Sequence, residues 1–139
     1  MIGRWSFWYR CGAWLFIMLG ALHNITSFIM IRFSTLTEDQ QNIIAIMKAH
    51  IPPIPTNHSL WEFHIGFSYV MGWLLMVVGA YALMGLDGCK KKTPIILLNI
   101  GSSVLMFIYS INYFFIVPAV FSGGALLAFL MAHHQMKRE

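Results

Sequence analysis

Two histidines lie inside long apolar stretches of the chain, where imidazole is the side chain best suited to binding a ligand. His23 is followed by Asn24 and Ser27, and His64 is followed by Ser68. His64 and Ser68 have the spacing that puts two residues on one face of a helix. An unpaired polar group in hydrocarbon costs several kcal/mol. We therefore expect His23, the deeper histidine, to be hydrogen-bonded or to hold a ligand.

Further polar side chains fall in the same outer half of the predicted membrane spans. Glu62 lies at the outer mouth of the second span, and Tyr109 and Asn112 lie towards the outer end of the third. We predict one outward-facing polar pocket, roofed by the first loop with His50 and His58. The predicted ligand-binding residues are His23, Asn24, Ser27, Glu62, His64, Ser68, Tyr109 and Asn112.

Three interpretations of this cluster are open. The histidines can bond to serine, asparagine or backbone groups of neighbouring helices. They can anchor the polar group of a lipid, a quinone or another small apolar ligand. They can ligate haem, although His64 lies several Å shallower than His23 by helical rise alone. The cofactor is thus unknown, and no metal site is predicted, because one built from His23, Glu62 and His64 has the same depth mismatch.

Few residues support catalysis, so whether the chain is an enzyme is left open. Glu62 and His64 would be an acid/base pair, but residues two apart on a helix point to different faces. Cys11 and Cys89 form no CxxC pair and lie near the predicted cytoplasmic face, where thiols stay reduced. The alternative function is a membrane enzyme, or a haem or quinone electron carrier, that uses the intramembrane histidines.

The composition of the chain indicates that the predicted site residues are positioned by membrane helices. The chain has 139 residues, of which 58% are hydrophobic and 10% are charged, with a mean hydropathy of +0.68. Soluble domains carry about 25% charged residues. The net charge of +4 comes from a few basic residues at span ends, so no nucleic-acid partner is expected. We predict one transmembrane domain over residues 1–139, with membrane lipids as its surroundings.

The apolar runs predict an all-α bundle of four transmembrane helices. The last apolar block, Pro94 to Ala132, would be about 60 Å long as one helix, twice a bilayer core. It must fold back, and we expect a break near 110–117, with Asn112 in a tight turn and Pro118 in the first turn of span four. The predicted spans are residues 11–31, 61–86, 94–111 and 117–134.

The first loop, residues 33–60, is the main segment outside the spans. It offers two overlapping capping boxes, Thr35 to Glu38 and Thr37 to Gln40. The apolar residues that follow predict a short amphipathic outer helix over 39–50. The proline-rich run at 51–55 predicts an extended segment.

Basic residues predict the orientation. Arg4, Arg10, Lys90 to Lys92, Lys137 and Arg138 fall on one side if the spans number four, and positive charge stays cytoplasmic. We therefore expect a multi-pass protein of the cell membrane with both termini in the cytoplasm. Small residues in the spans, such as Gly124, Ala128 and Ala132 in span four, pack helices within one chain or join a homodimer or larger membrane complex.

Two short segments carry a resemblance. Gly20-Ala-Leu-His23 in span one, and Trp61-Glu-Phe-His-Ile-Gly-Phe-Ser68 with Gly72 in span two, are similar to small bacterial four-helix inner-membrane proteins of DoxX-like size and layout. The resemblance implies a four-helix bundle and brings no established catalytic residue. The expected function is an integral membrane binding or accessory protein whose outward pocket holds a lipid-like or other small apolar ligand.

Overall fold

A computed structural model describes residues 4–51, 57–88, 92–113 and 116–138. The described residues form five helices and no strand. The helices are α1 Arg4–Phe33, α2 Glu38–Ala49, α3 Leu60–Gly88, α4 Thr93–Tyr113 and α5 Ile116–Met136.

Four of these helices are long and apolar enough to cross a membrane. The candidate spans in α1, α3, α4 and α5 each have 20 residues or more, which at about 1.5 Å per residue matches a hydrocarbon core of about 30 Å. Only 17% to 33% of the most apolar window of each is buried. Large side chains such as Trp73, Leu98 and Ile116 are exposed, as lipid-facing residues are. The predicted all-α, four-span class is confirmed.

The short helix α2 lies between the first two spans, where the sequence predicts it. Its N-cap is Thr37: Gln40 N donates to Thr37 Oγ1 at 3.3 Å, and Thr37 N donates to Gln40 Oε1 at 3.0 Å. Of the two overlapping capping boxes, the one from Thr37 is therefore confirmed and the one from Thr35 is wrong. The proline-rich segment predicted at 51–55 lies, after Ile51, outside the described residues.

The turn between spans three and four differs from the prediction at Asn112. This residue remains in α4, where its Nδ2 donates to the Ile108 carbonyl at 2.8 Å, so the expected tight turn at Asn112 is wrong. The helix continues there because the amide bonds to its own backbone one turn earlier. Residues 114–115 lie outside the described part. Pro118 is in the first turn of α5, as predicted.

The chain divides into two compact units. The first takes the chain up to Gly20 and from Leu74 onward, and the second is Ala21–Trp73. The prediction of a single transmembrane domain stays a prediction. In the first unit α4 and α5 pack against each other. Its buried apolar core consists of Tyr9, Ala13, Phe16, Ala82, Ile96, Ala125, Phe129 and Ala132.

Small residues allow close packing in the first unit. Gly12 faces the ring of Phe129, and a Cβ at Gly79 would come within 2.6 Å of the Ala13 carbonyl oxygen. Ala128 and Ala132 of α5 are buried. Part of the predicted small-residue stripe of span four is therefore used within the chain. The predicted homodimer or larger complex stays a prediction.

Several polar side chains of the first unit bond to their own helix, whereas His133 Nδ1 and Gln135 Oε1 are buried and have no partner among the described residues. Ser103, Ser110 and Ser122 each donate to a carbonyl four residues earlier, at 2.6 to 2.7 Å. Asn99 Nδ2 donates across helices to the Tyr9 hydroxyl at 2.9 Å and also to the Ile95 carbonyl at 3.0 Å. These bonds meet the requirement that buried polar groups find partners.

Candidate functional site

The second unit, Ala21–Trp73, contains a cavity of about 290 Å³. Its walls come from the C-terminal part of α1, the turn after it, one face of α2 and the N-terminal part of α3. The lining residues are Ser27, Met30, Ile31, Leu36, Gln40, Ile43, Ile44, Met47, Trp61, His64, Ile65 and Ser68.

The apolar wall from α2 follows from the helical spacing of its sequence. Ile43, Ile44 and Met47 fall on one face, with Gln40 one turn earlier. Ile46 is 69% exposed and does not line the cavity. The amphipathic helix predicted from the sequence therefore turns one face towards α1 and α3 and forms one wall of the cavity, although none of its residues is buried.

Three polar side chains from α1 and α3 form a hydrogen-bonded chain beside this apolar wall. His23 Nε2 lies 3.0 Å from Ser68 Oγ and 3.1 Å from the Ser68 carbonyl oxygen. Ser27 Oγ lies 2.9 Å from Ser68 Oγ. A carbonyl can only accept, so its contact with His23 requires a proton on Nε2. His23, Ser27 and Ser68 were all predicted site residues, and the structure brings them together.

Asn24 lies next to His23 in α1 but does not line the cavity. Its side chain lies directly over Gly72 of α3, where a Cβ would overlap the amide. Its Oδ1 atom is buried and has no hydrogen-bond partner among the described residues. The Asn24 amide thus packs against the glycine backbone of α3, and its predicted role as a ligand-binding residue stays a prediction.

Glu62 has a local structural role that the sequence analysis missed. Its Oε2 accepts from Ser59 N at 2.8 Å and from Ser59 Oγ at 3.1 Å, while Glu62 N donates to Ser59 Oγ at 3.3 Å. This is a capping box at the start of α3. Glu62 does not line the cavity. The signal was readable as Ser-x-x-Glu at 59–62 in the sequence.

His64 lines the cavity and its side chain is exposed. Its ring stacks on Trp61, with centroids 5.8 Å apart and 26° between the planes. Within the described residues, His64 makes no hydrogen bond with His23, Ser27 or Ser68. His23 uses Nε2 on Ser68, and the haem interpretation stays a prediction.

The remaining predicted residues are not among the lining residues of this cavity. Tyr109 and Asn112 belong to α4 in the first unit, and the Asn112 amide bonds to its own helix. The two histidines expected to roof the pocket do not line it, and His58 Nδ1 lies 3.6 Å from Glu62 Oε2. In the described part of the chain, no group of three or more His, Cys, Asp or Glu side chains is arranged to hold a metal ion.

Most of the cavity wall was missed as a binding surface because it is apolar. The sequence analysis identified the amphipathic face of α2 but assigned ligand contacts to polar residues only. Met30 and Ile31 of α1 and Ile65 of α3 resemble any lipid-facing residue in sequence. Compared with protein-family models, curated proteins and solved structures, the chain gives no match.

Proposed function

We propose that this chain is an integral membrane binding protein whose cavity in the second unit holds one lipid-like or other small apolar ligand. The observation that carries the proposal is the composition of the cavity wall. Seven of its lining residues are aliphatic or methionine side chains from α1, α2, α3 and the connecting turn, and a small polar group completes it. Mostly apolar walls with a few convergent polar groups are typical of ligand sites.

The size of the cavity supports a ligand with one apolar chain. Ligand pockets commonly measure about 300–1,000 Å³, and a cavity of about 290 Å³ is at the lower end of that range. A two-chain phospholipid would not be enclosed. A single-chain amphiphile can bury its tail here and leave its end at the mouth.

The surroundings of the cavity support a supply of ligand from the bilayer. α1 and α3 each contain an apolar stretch long enough to cross a membrane, while α2 carries Glu38, Asp39 and Lys48 on its exposed positions. Such a helix is suited to the membrane interface. We propose that α2 lies at the outer face of the cell membrane, with both termini cytoplasmic.

Paired substitutions on α2 test the proposal. Ile44→Trp puts an indole group into the cavity, whereas Ile46→Trp puts the same group on the exposed face. Native mass spectrometry of protein purified in mild detergent should detect one amphiphile per chain in the wild type. We expect Ile44→Trp to lower this bound fraction at least about fivefold, because the indole occupies ligand volume. Ile46→Trp should match the wild type.

Equal retention of amphiphile by both tryptophan variants would overturn the proposal, since binding would then be to the outer helix surfaces. Purified protein with a Soret absorption band would also overturn it and favour the electron-carrier function. Unfolding temperatures of the two variants should be compared first, so that loss of ligand is read on folded protein.

A further inference from the structure

The two serines on the cavity wall differ from three other serines of the spans in where they donate their hydroxyl protons. Ser103, Ser110 and Ser122 donate to carbonyls of their own helices. The described hydrogen bonds of Ser27 and Ser68 include no such bond; they join α1 to α3 instead. Two serines that face a cavity are thus left with hydrogen-bonding capacity that their counterparts use locally.

Counting protons shows that one donor is left over. His23 Nε2 supplies a proton to Ser68, through its carbonyl and its hydroxyl oxygen. Ser27 and Ser68 have one hydroxyl proton each, and the bond between their oxygens uses only one of them, whichever serine donates. One hydroxyl proton therefore has no partner among the described residues, and both serines line the cavity. A ligand that brings a hydrogen-bond acceptor into the cavity can bond to this proton.

Charge on the cavity wall restricts what the ligand can be. The lining residues in the described structure include no Lys, Arg, Asp or Glu, and His64 is the one titratable side chain among them. Gln40, which lines the cavity, already uses its Oε1 in the cap of α2. An anionic head group without a cation would be desolvated at high cost. A pure hydrocarbon would bring no acceptor for the remaining hydroxyl proton.

We infer that the cavity selects an uncharged amphiphile with a carbonyl group, as in a fatty-acid ester or a long-chain ketone, whose oxygen accepts a hydrogen bond from the Ser27–Ser68 pair. This inference rests on the proposed binding function and names its ligand class. His23 acts as a positioning residue, because its bond to Ser68 fixes which protons remain available. The apolar wall of α2 holds the tail.

Three probes of matched chain length test the selection: methyl laurate, dodecane and laurate in alkaline buffer. Each is measured by competition against isotope-labelled methyl laurate on detergent-solubilised full-length protein, with the amount retained by the Ile44→Trp variant taken as background. The wild type should prefer the ester over dodecane by about fivefold, the worth of one hydrogen bond. Laurate should bind more weakly than the ester.

Either serine can donate the hydrogen bond to the ester when the other is replaced. This redundancy gives a pattern of ester preference that a purely structural role of the two serines would not produce. Ser27→Ala leaves the Ser68 hydroxyl free to donate, and Ser68→Ala leaves that of Ser27, so each single variant should keep the ester preference within about twofold. The double variant should lose it. The matched control is Ser103→Ala with Ser122→Ala, which removes two hydroxyls bonded to their own helices and should keep the preference.

An infrared measurement covers the case in which the double serine variant does not fold. The carbonyl stretching band of labelled methyl laurate should lie at lower frequency when bound to the wild type than in detergent alone, as for a hydrogen-bonded ester. An unshifted band, or equal binding of ester and dodecane above the Ile44→Trp background, would overturn the inference and leave the proposed function standing. If no probe exceeds that background, both fail.

Discussion

Two glycines of α3 show how single residues set the approach of helices in the second unit. A Cβ at Gly72 would overlap the amide of Asn24, whereas a Cβ at Gly66 would meet nothing within 4 Å. Both glycines are in the same helix and neither has a positive φ. Gly72 is therefore required for close contact, as small residues are at helix interfaces in membranes, and Gly66 is not.

Gly72→Ala should destabilise the protein by about 1–3 kcal/mol, because the Asn24 amide or the α3 backbone must shift to admit the methyl group. The measurement is thermal unfolding in detergent, followed by tryptophan fluorescence. Gly66→Ala is the matched control and should leave stability unchanged or raise it, since alanine is the better helix former by about 1 kcal/mol. Equal effects at the two positions would contradict the packing described for Asn24.

At the residue scale, the sequence predicts which polar side chains need a hydrogen-bond partner better than it predicts which residue that partner is. The depth of His23 in an apolar run already required a hydrogen bond, and bonding to a serine on a neighbouring helix was among the open interpretations. The partner is Ser68 because of how α1 and α3 are rotated about their axes. A single sequence has no pattern from which this rotation can be read. Glu62 was assigned to the pocket because its cap to Ser59 was overlooked.

Local caps decide where the second helix begins. Thr37 has extended backbone angles, φ −67° and ψ 162°, and its hydroxyl accepts from Gln40 N. Thr35, two residues earlier, is exposed and lies outside α2. Only one of the two overlapping threonine motifs can therefore close the first turn of the helix that walls the cavity.

Thr37→Ala should speed hydrogen exchange of the first α2 amides about fivefold, since losing an N-cap costs about 1 kcal/mol. Hydrogen exchange detected by mass spectrometry on peptides from residues 36–49 measures this directly. Thr35→Ala removes the same side chain without a cap and should leave the exchange rate unchanged. A larger effect from Thr35→Ala would restore the earlier start for the helix.

Elements are more predictable than their ends. Each of the four apolar runs is long enough to cross a bilayer, so α1, α3, α4 and α5 follow from hydropathy and rise per residue alone. Their ends depend on single side chains. Asn112 seemed to be a turn residue by type, but its amide bonds to Ile108 and the helix continues. The apolar part of the cavity wall was not predicted, because it consists of the same aliphatic residues as a lipid-facing surface.

At the scale of the whole molecule, the charge pattern is the main basis for orientation. Basic residues flank both ends of the chain and the α3–α4 connection, whereas Arg32 and Lys48 of the first loop are balanced by Glu38 and Asp39. Short basic segments remain on the cytoplasmic side of a membrane. With four spans, we predict that the two termini share that side and that the α1–α2 turn faces the exterior.

Single cysteines can test this orientation in a background carrying Cys11→Ser and Cys89→Ser. Ser34→Cys, in the turn between α1 and α2, should react with a membrane-impermeant maleimide on intact cells, because that turn is exposed and predicted to face outward. Lys137→Cys, near the C-terminus, should react only after the membrane is permeabilised. The opposite labelling pattern would show that the protein has the inverted orientation, with the mouth of the cavity at the cytoplasmic leaflet. Reaction of both on intact cells would exclude a C-terminus in the cytoplasm.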